Sequence, residues 1–275
     1  FTVMAAMILM EEDRLKQKQP LLEIWPGLPD YFKGIKVKHL LAHTSGLPYL
    51  RRMKLYGEVT SFKDLKKFFH NKDKLSNQPG QMARQNPANT ALLASLIEKR
   101  TNDSYRKFVK KRIFTPLGME NSRVYKKGWF REIPSKAISY FPQNDTLYKD
   151  AGDFPENYIE GAIGVYSNLD DLVKWFKAWK TDTLVPRNRL NKVEQINYIR
   201  GQKNFPGYGW VKAFNKGNKY LYRGGFGRGT SHILLRVPSE DISVAIVSNQ
   251  STLFGLRRRA FELVNLYSER QYSTD

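Results

Sequence analysis

One run constrains this chain more than any other: His39-Leu40-Leu41-Ala42-His43-Thr44-Ser45-Gly46-Leu47-Pro48. Read locally, it is the end of a helix followed by a tight stop. Leu40 and Leu41 supply a buried face. Thr44 and Ser45 can bond the backbone groups that a helix end leaves open, Gly46 can take a positive φ, and Pro48 keeps the helix from resuming. The Ser45 hydroxyl is therefore expected to serve the turn and not to act as a nucleophile.

Around this run the apolar spacing predicts further elements. Residues 1–13 read as a helix closed by Glu11-Glu12-Asp13, followed by a loop punctuated by Pro20, Pro26 and Pro29. A short helix over 35–43 leads into the run. Ser61 opens another, with Phe62, Leu65, Phe68 and Phe69 at helical spacing on one side. Asn77-Gln78-Pro79-Gly80 is a turn. Residues 88–100 read as a largely buried helix. Asp103 or Ser104 caps the next, which turns Tyr105, Phe108, Val109 and Ile113 inward and ends before Pro116. Residues 120–160 read as loop-rich. Ser167-Asn168-Leu169-Asp170 matches a capping box, with Ser167 as the expected cap. The pattern then changes to β-branched and aromatic runs at 208–214, 219–223, 231–237 and 242–248, with turns at 215–218 and 238–241. A final helix is expected over 252–268.

Helices first, then an antiparallel meander and a closing helix, argue for an α+β fold. The whole of 1–275 is expected to form a single domain, with 1–200 mainly helical and looped and 201–275 supplying strands and the last helix. With 41% hydrophobic and 13% aromatic residues, the chain can build a core.

The balance of charge is strongly basic, +20 from 46 Lys+Arg against 26 Asp+Glu. Such a field attracts polyanions. No zinc-finger spacing or RNA-binding aromatic motif accompanies it, so nucleic acid is not the expected partner. The absence of cysteine excludes disulfides, thiolate zinc sites and a cysteine nucleophile. No stretch reaches the ~18 apolar residues of a membrane span. The four histidines are His39, His43, His70 and His232. His39 and His43 stand four apart, but no H-E-x-x-H motif or following carboxylate makes them a metal grip. Packing or capping roles are expected for them, with no metal and no cofactor.

Several segments recur in a particular order. Beside H-L-L-x-H-T-S-G-L-P stand Phe1-Thr2, Pro79-Gly80-Gln81, Leu92-Leu93-Ala94-Ser95-Leu96-Ile97-Glu98, Phe114-Thr115-Pro116-Leu117-Gly118-Met119, Gly164-Val165-Tyr166-Ser167 and Val244-Ala245-Ile246-Val247-Ser248-Asn249. In this order the chain resembles the β-lactamase-related serine hydrolases, the group of class C β-lactamases, penicillin-binding-protein-like D-alanyl-D-alanine peptidases and esterases. The resemblance implies an antiparallel sheet flanked by helices, with a helical subdomain and the active site at their junction. Two strands that precede the nucleophile helix in the family would lie before residue 1, so the sequence is expected to be a fragment.

Such an enzyme needs a Ser-x-x-Lys nucleophile followed by x-F-T, with the Lys accepting the serine proton. With Phe1-Thr2 as F-T, the serine would lie five residues before Phe1 and the lysine two before it. The literal match Ser104-Tyr105-Arg106-Lys107 reads instead as a helix cap and a solvent-facing lysine. In the Tyr-x-Asn element, Gln85 takes the Tyr position and Pro87 the Asn position, with Asn86 between. Gln can hydrogen-bond but cannot carry a proton near neutral pH, and Pro has no side-chain donor. Tyr166-Ser167-Asn168 spells Y-S-N literally, in a segment where Ser167 is expected to cap and Tyr166 to pack. The third element, K-T-G or H-x-G in the family, is Arg223-Gly224-Gly225, and the resemblance implies that Gly225 lets substrate lie against the strand. Arg keeps the charge and offers a fork suited to carboxylate or phosphate. Phe226-Gly227-Arg228-Gly229 then reads either as a flexible strand connection or as an anion-binding nest.

Two functions follow from these positions. The first is a divergent serine hydrolase acting through an acyl-enzyme on a peptide, amide or ester, with Arg223 on an anionic group. The second is an inactive relative that binds an anionic ligand or acidic cell-wall polymer in the old cleft. The candidate ligand contacts are Gln85, Asn86, Arg223, Gly224, Gly225 and Arg228. The family's habits imply the cell envelope, periplasm or exterior.

Overall fold

The computed structural model describes residues 1–50, 61–125, 133–143, 147–150, 159–195, 205–227, 229–250 and 255–274. Its contacts group the chain into two compact units. The first takes 1–126, 158–202 and 206–209, and the second takes 127–157, 203–205 and 210–275.

The first unit is helical. Helix α1 (Thr2–Glu11) is buried from Thr2 to Leu9, as its unbroken apolar sequence requires. The Pro-punctuated loop holds two short helical turns, α2 (Leu21–Ile24) and a 3₁₀ turn Asp30–Phe32. Pro20 and Pro29 stand at their N-caps, where a missing N–H costs nothing. Helix α3 (Val37–Leu41) leads into the H-T-S-G-L-P run. Helix α4 (Phe62–His70) starts at Ser61, whose Oγ accepts the Asp64 N–H, and buries Leu65, Phe68 and Phe69. Helix α5 (Pro87–Thr101) packs against α1, α3, α4 and α6 (Tyr105–Val109). Ser104 caps α6 and accepts the Lys107 N–H. The chain then widens into a π-turn over Lys110–Phe114.

A two-stranded ladder joins Arg123–Val124 to Val165–Tyr166 and leads into α7 (Leu169–Ala178). The cap of α7 is Asn168, not Ser167: Asn168 Oδ1 accepts the Asp171 N–H at 3.0 Å. Helix α8 (Arg187–Gln195) has no counterpart in the sequence reading. Only Leu190 and Val193 give its surface an apolar period.

The second unit carries the last four strands of a five-stranded meander that opens at Phe205–Gly207: β1 (Trp210–Asn215), β2 (Asn218–Gly227), β3 (Thr230–Val237) and β4 (Ile242–Ser248). Strand β1 starts later than expected because Tyr208 and Gly209, both at positive φ, form a turn. The β1–β2 hairpin closes through Lys216 (φ 47°) and Gly217 (φ 80°), the backbone that a two-residue turn of this hand requires. Helix α9 (Leu256–Asn265) packs on β3 and β4. Ala260, Phe261 and Val264 meet Tyr220, Ile233, Leu235 and Val237 in its core. Within the region expected to be loop-rich, Tyr140–Gln143 and Leu147–Asp150 pair as a hairpin. The α+β expectation holds.

Candidate active site

The start of α1 is locked in place. Phe1 packs against Trp175 with the rings tilted and their centroids 4.4 Å apart, and meets Phe114 edge-on at 5.4 Å. Thr2 Oγ1 donates to the Gly161 carbonyl at 2.6 Å, so the Tyr105 hydroxyl donates to Thr2, also at 2.6 Å. Burial pushes the Tyr105 phenol above its ordinary pKa and keeps that donor protonated. Gly161 has φ 79°, and a Cβ there would lie 2.6 Å from the Thr90 carbonyl oxygen and 2.5 Å from Ala94 Cβ. Sequence reasoning missed this lock, since its members are 103 and 159 residues from Thr2.

The H-T-S-G-L-P run is a buried polar network. Ser45 Oγ donates to Asn89 Oδ1 at 2.6 Å and accepts the Leu47 N–H at 3.2 Å. His43 Nδ1 accepts from the Asn86 N–H at 3.3 Å and from Asn89 Nδ2 at 3.1 Å, which places the ring proton on Nε2. Ser45 is 1% exposed and its proton is held by Asn89, so it serves the turn as expected. His39 and His43 do not share a helix face. The helix ends at Leu41, and His43 sits at φ 53°. His39 Nδ1 caps α3 by accepting the Lys36 N–H at 3.0 Å. Its pKa falls to about 4, through burial and then the Lys38 and Lys36 charges. Among the described residues, no group of three or more His, Cys, Asp or Glu could hold a metal ion.

A shallow polar recess lies beside the run, lined by His43, Ser45, Tyr49, Arg84, Asn86 and Asn89. The degenerate Tyr-x-Asn element borders it. Gln85 is exposed, and Pro87 is the first residue of α5. Asn86, expected as a ligand contact, is held by internal hydrogen bonds. Its Oδ1 accepts the Ala88 and Leu50 N–H groups, and its Nδ2 donates to the Leu47 and Pro48 carbonyls. All four hydrogen-bonding positions of the amide are engaged, and the residue is 4% exposed. It is a helix cap and a strut.

The other literal motifs are structural too. Ser104 caps α6, and Lys107 is exposed beside Asp103 at 3.8 Å. In Tyr166-Ser167-Asn168, Tyr166 pairs in the short ladder with its ring centroid 6.2 Å from that of Tyr125. Burial and Tyr125 raise its pKa. Ser167 Oγ meets Ser122 Oγ at 2.8 Å, and Ser122 donates to the fully buried Asp171.

In the second unit, Arg223-Gly224-Gly225 lies inside β2, opposite Leu234, Ile233 and His232 in turn. The strand runs on through Gly227, which pairs with Thr230, so the glycine-rich stretch is mostly strand and not turn. Arg228 lies outside the described residues. Arg223 is half-buried, and burial lowers its pKa without costing the guanidinium its charge at neutral pH. The sequence reading gave His232 no place. The pairing of Gly227 with Thr230 sets the register that brings it opposite Gly225.

A helical unit built around a locked, buried first helix, and a meander backed by one helix with a cation on the third-motif strand, define a mixed helix and antiparallel-sheet protein of the penicillin-binding-protein-like fold. The model of the Beta-lactamase family matches residues 1–268, and the chain belongs to that family. The chain is 29% identical to penicillin-binding protein 4* of Bacillus subtilis, over 88% of this chain and 57% of that protein. It is 24% identical to a D-aminopeptidase of Gluconobacter oxydans, over 64% of this chain and 33% of that one. The chain thus spans about half or less of these relatives. In fold it resembles the octameric penicillin-binding protein homologue from Pyrococcus abyssi (TM-score 0.81, 24% identity, 96% of this chain and 63% of that one). It also resembles a penicillin-binding protein from Bacillus halodurans (TM-score 0.80, 23% identity, 96% and 82%). No helix among the described residues is long and apolar enough to cross a membrane.

Proposed function

We propose that this chain is part of a divergent serine hydrolase that cleaves a peptide, amide or ester through an acyl-enzyme, with Arg223 holding an anionic group of the substrate. The observation that carries the reading is Arg223 at the third-motif position of β2, two residues before Gly225. The serine of a Ser-x-x-Lys turn at the head of α1 would attack the carbonyl as the lysine takes its proton. Backbone N–H groups would hold the oxyanion, and water would then release the acyl group. The Thr2–Tyr105–Gly161 lock supports this role for α1, because a nucleophile must be held in place to react. Arg223 stays a cation, so it binds and orients but does not act as a base. The named penicillin-binding and D-aminopeptidase relatives support a small amide or peptide substrate and a place in the cell envelope.

A second reading rests on a specific observation: the Tyr position is Gln85 and the Asn position is Pro87 at the head of α5. In that reading the cleft is inactive and binds an anionic ligand or acidic wall polymer, aided by the +20 charge. The codons before Phe1 separate the two. With Ser-x-x-Lys present, a fluorophosphonate or labelled penicillin should mark that serine in the longer protein. Any other residue at the serine position, or no labelling and no ester turnover, supports the binder. In either case Arg223→Ala should weaken binding of a carboxylate ligand, and unchanged affinity removes Arg223 from the site.

A further inference from the structure

The two faces of the meander differ in chemistry. Tyr220 and Tyr222 on β2, with Ile233 and Leu235 on β3, point to the α9 side and pack into its core. Strand alternation puts Arg223, Gly225 and His232 on the other face. Gly225 is the direct cross-strand partner of His232, and Val247 is its partner on β4. A Cβ on Gly225 would stand 2.7 Å from His232 Cε1 and 3.1 Å from Nε2. The imidazole therefore lies over the glycine and fills the space where a side chain would be.

Gly225 is not at a positive φ, so its backbone does not demand glycine. The ring above it does. This changes the reading of Gly225 taken from the family, in which the glycine lets substrate lie against the strand. Arg223 stands diagonally across from His232, since its own partner is Leu234. Diagonal neighbours have Cα atoms about 7–8 Å apart, within reach of two long side chains.

We propose that His232, seated on Gly225, is the second contact of the Arg223 anion site, where it donates a hydrogen bond to the carboxylate that Arg223 holds and so selects a carboxylate over a neutral amide. The proposal rests on the anion-binding reading of Arg223 given above. His232 is exposed overall, yet its ring is crowded. Desolvation, then the Arg223 charge, lowers its pKa. The ring is thus neutral at neutral pH, with one N–H to donate and no charge to repel the guanidinium.

The four histidines make a direct test available. Protein labelled with ¹³C in its imidazoles gives one ring signal for each, and His39→Gln, His43→Gln, His70→Gln and His232→Gln assign them. N-acetyl-D-alanine is titrated as the carboxylate probe, with N-acetyl-D-alaninamide as its neutral twin. The expected result is a saturable shift of the His232 signal with the acid and none with the amide. His232→Gln should raise the Kd for the acid about tenfold, the effect of losing one hydrogen bond to a charged group. Because the signal is read in the unmutated protein, the test survives a variant that folds poorly. If the acid binds and Arg223→Ala weakens it while the His232 signal stays still, the His232 proposal is overturned and the Arg223 reading stands. If Arg223→Ala leaves the affinity unchanged, or the acid does not bind saturably, both fall.

Discussion

Gly46 and Gly225 both sit where a Cβ has no room, and what stands in the way differs in kind. At Gly46 the obstacle is backbone. A Cβ would lie 1.8 Å from the Asn77 carbonyl oxygen, and φ is 70°. At Gly225 the obstacle is the imidazole of His232, on a backbone that any residue could adopt. The first glycine is required by the scaffold, because neither wall nor dihedral can yield. The second is required by a side chain that can rotate away. In the helical unit the buried polar groups of the H-T-S-G-L-P run are turned on one another. In the sheet unit a cation and an imidazole stand on one face of neighbouring strands.

This contrast predicts a graded response to substitution. Gly46→Ala should have the largest effect, a loss of about 4 kcal/mol from strained backbone and steric overlap, seen as a lower midpoint of urea unfolding. A loss under about 1 kcal/mol would show that the run is not rigid. Asn86→Ala comes next. It removes a helix cap and leaves two buried carbonyls and the Leu50 N–H without their partner, at a cost of about 3 kcal/mol. The same variant should bind N-acetyl-D-alanine with unchanged affinity. Weakened binding at intact stability would restore Asn86 as a ligand contact.

His39 gives a pH dependence to the same unit. In the folded chain its pKa lies near 4, against 6.5 as the ordinary value. Between these values the unfolded state binds the extra proton. Stability therefore falls as pH drops from 6.5 toward 4 and is regained on return. For a half-buried ring the loss is roughly 2 kcal/mol after allowance for solvent screening. Thermal unfolding from pH 7 to pH 4 should show the slope, and His39→Gln should flatten it. An unchanged slope would assign the acid response to other groups.

How far the sequence reveals these features depends on how local they are. The caps at Ser61 and Ser104 were readable, because an N-cap is a contact over three residues. So was the hairpin at Lys216-Gly217, where turn chemistry demands positive φ. One step along the chain was enough to mislead: Asn168 and Ser167 are both good caps, and only the position of the helix axis decides between them. Helix α8 was invisible because arginine, asparagine and lysine dominate its surface and only Leu190 and Val193 mark its buried side. For the proposed site, motif order pointed to Gln85, Pro87 and Arg223, and residue type told what each could not do. It did not show that Asn86 is fully engaged, since its partners Leu47, Pro48 and Leu50 lie 36–39 residues back. Nor did it show His232 opposite Gly225, which depends on strand register.

Gly225→Ala should have the smallest effect on stability and the most informative one on the site. The added methyl meets the end of a movable ring, so the ring shifts and the strand stays. Alanine also relieves part of the entropy cost of glycine in a strand, worth about 0.5–1 kcal/mol. The net change in stability should stay within about 1 kcal/mol. The His232 ring signal, by contrast, should move in the free protein, and the affinity for N-acetyl-D-alanine should fall toward that of His232→Gln. The double variant Gly225→Ala/His232→Gln should bind no more weakly than His232→Gln alone, since both changes remove the same contact. Additive losses would mean that substrate lies directly on Gly225, as the family resemblance implies, and that His232 only happens to cover it.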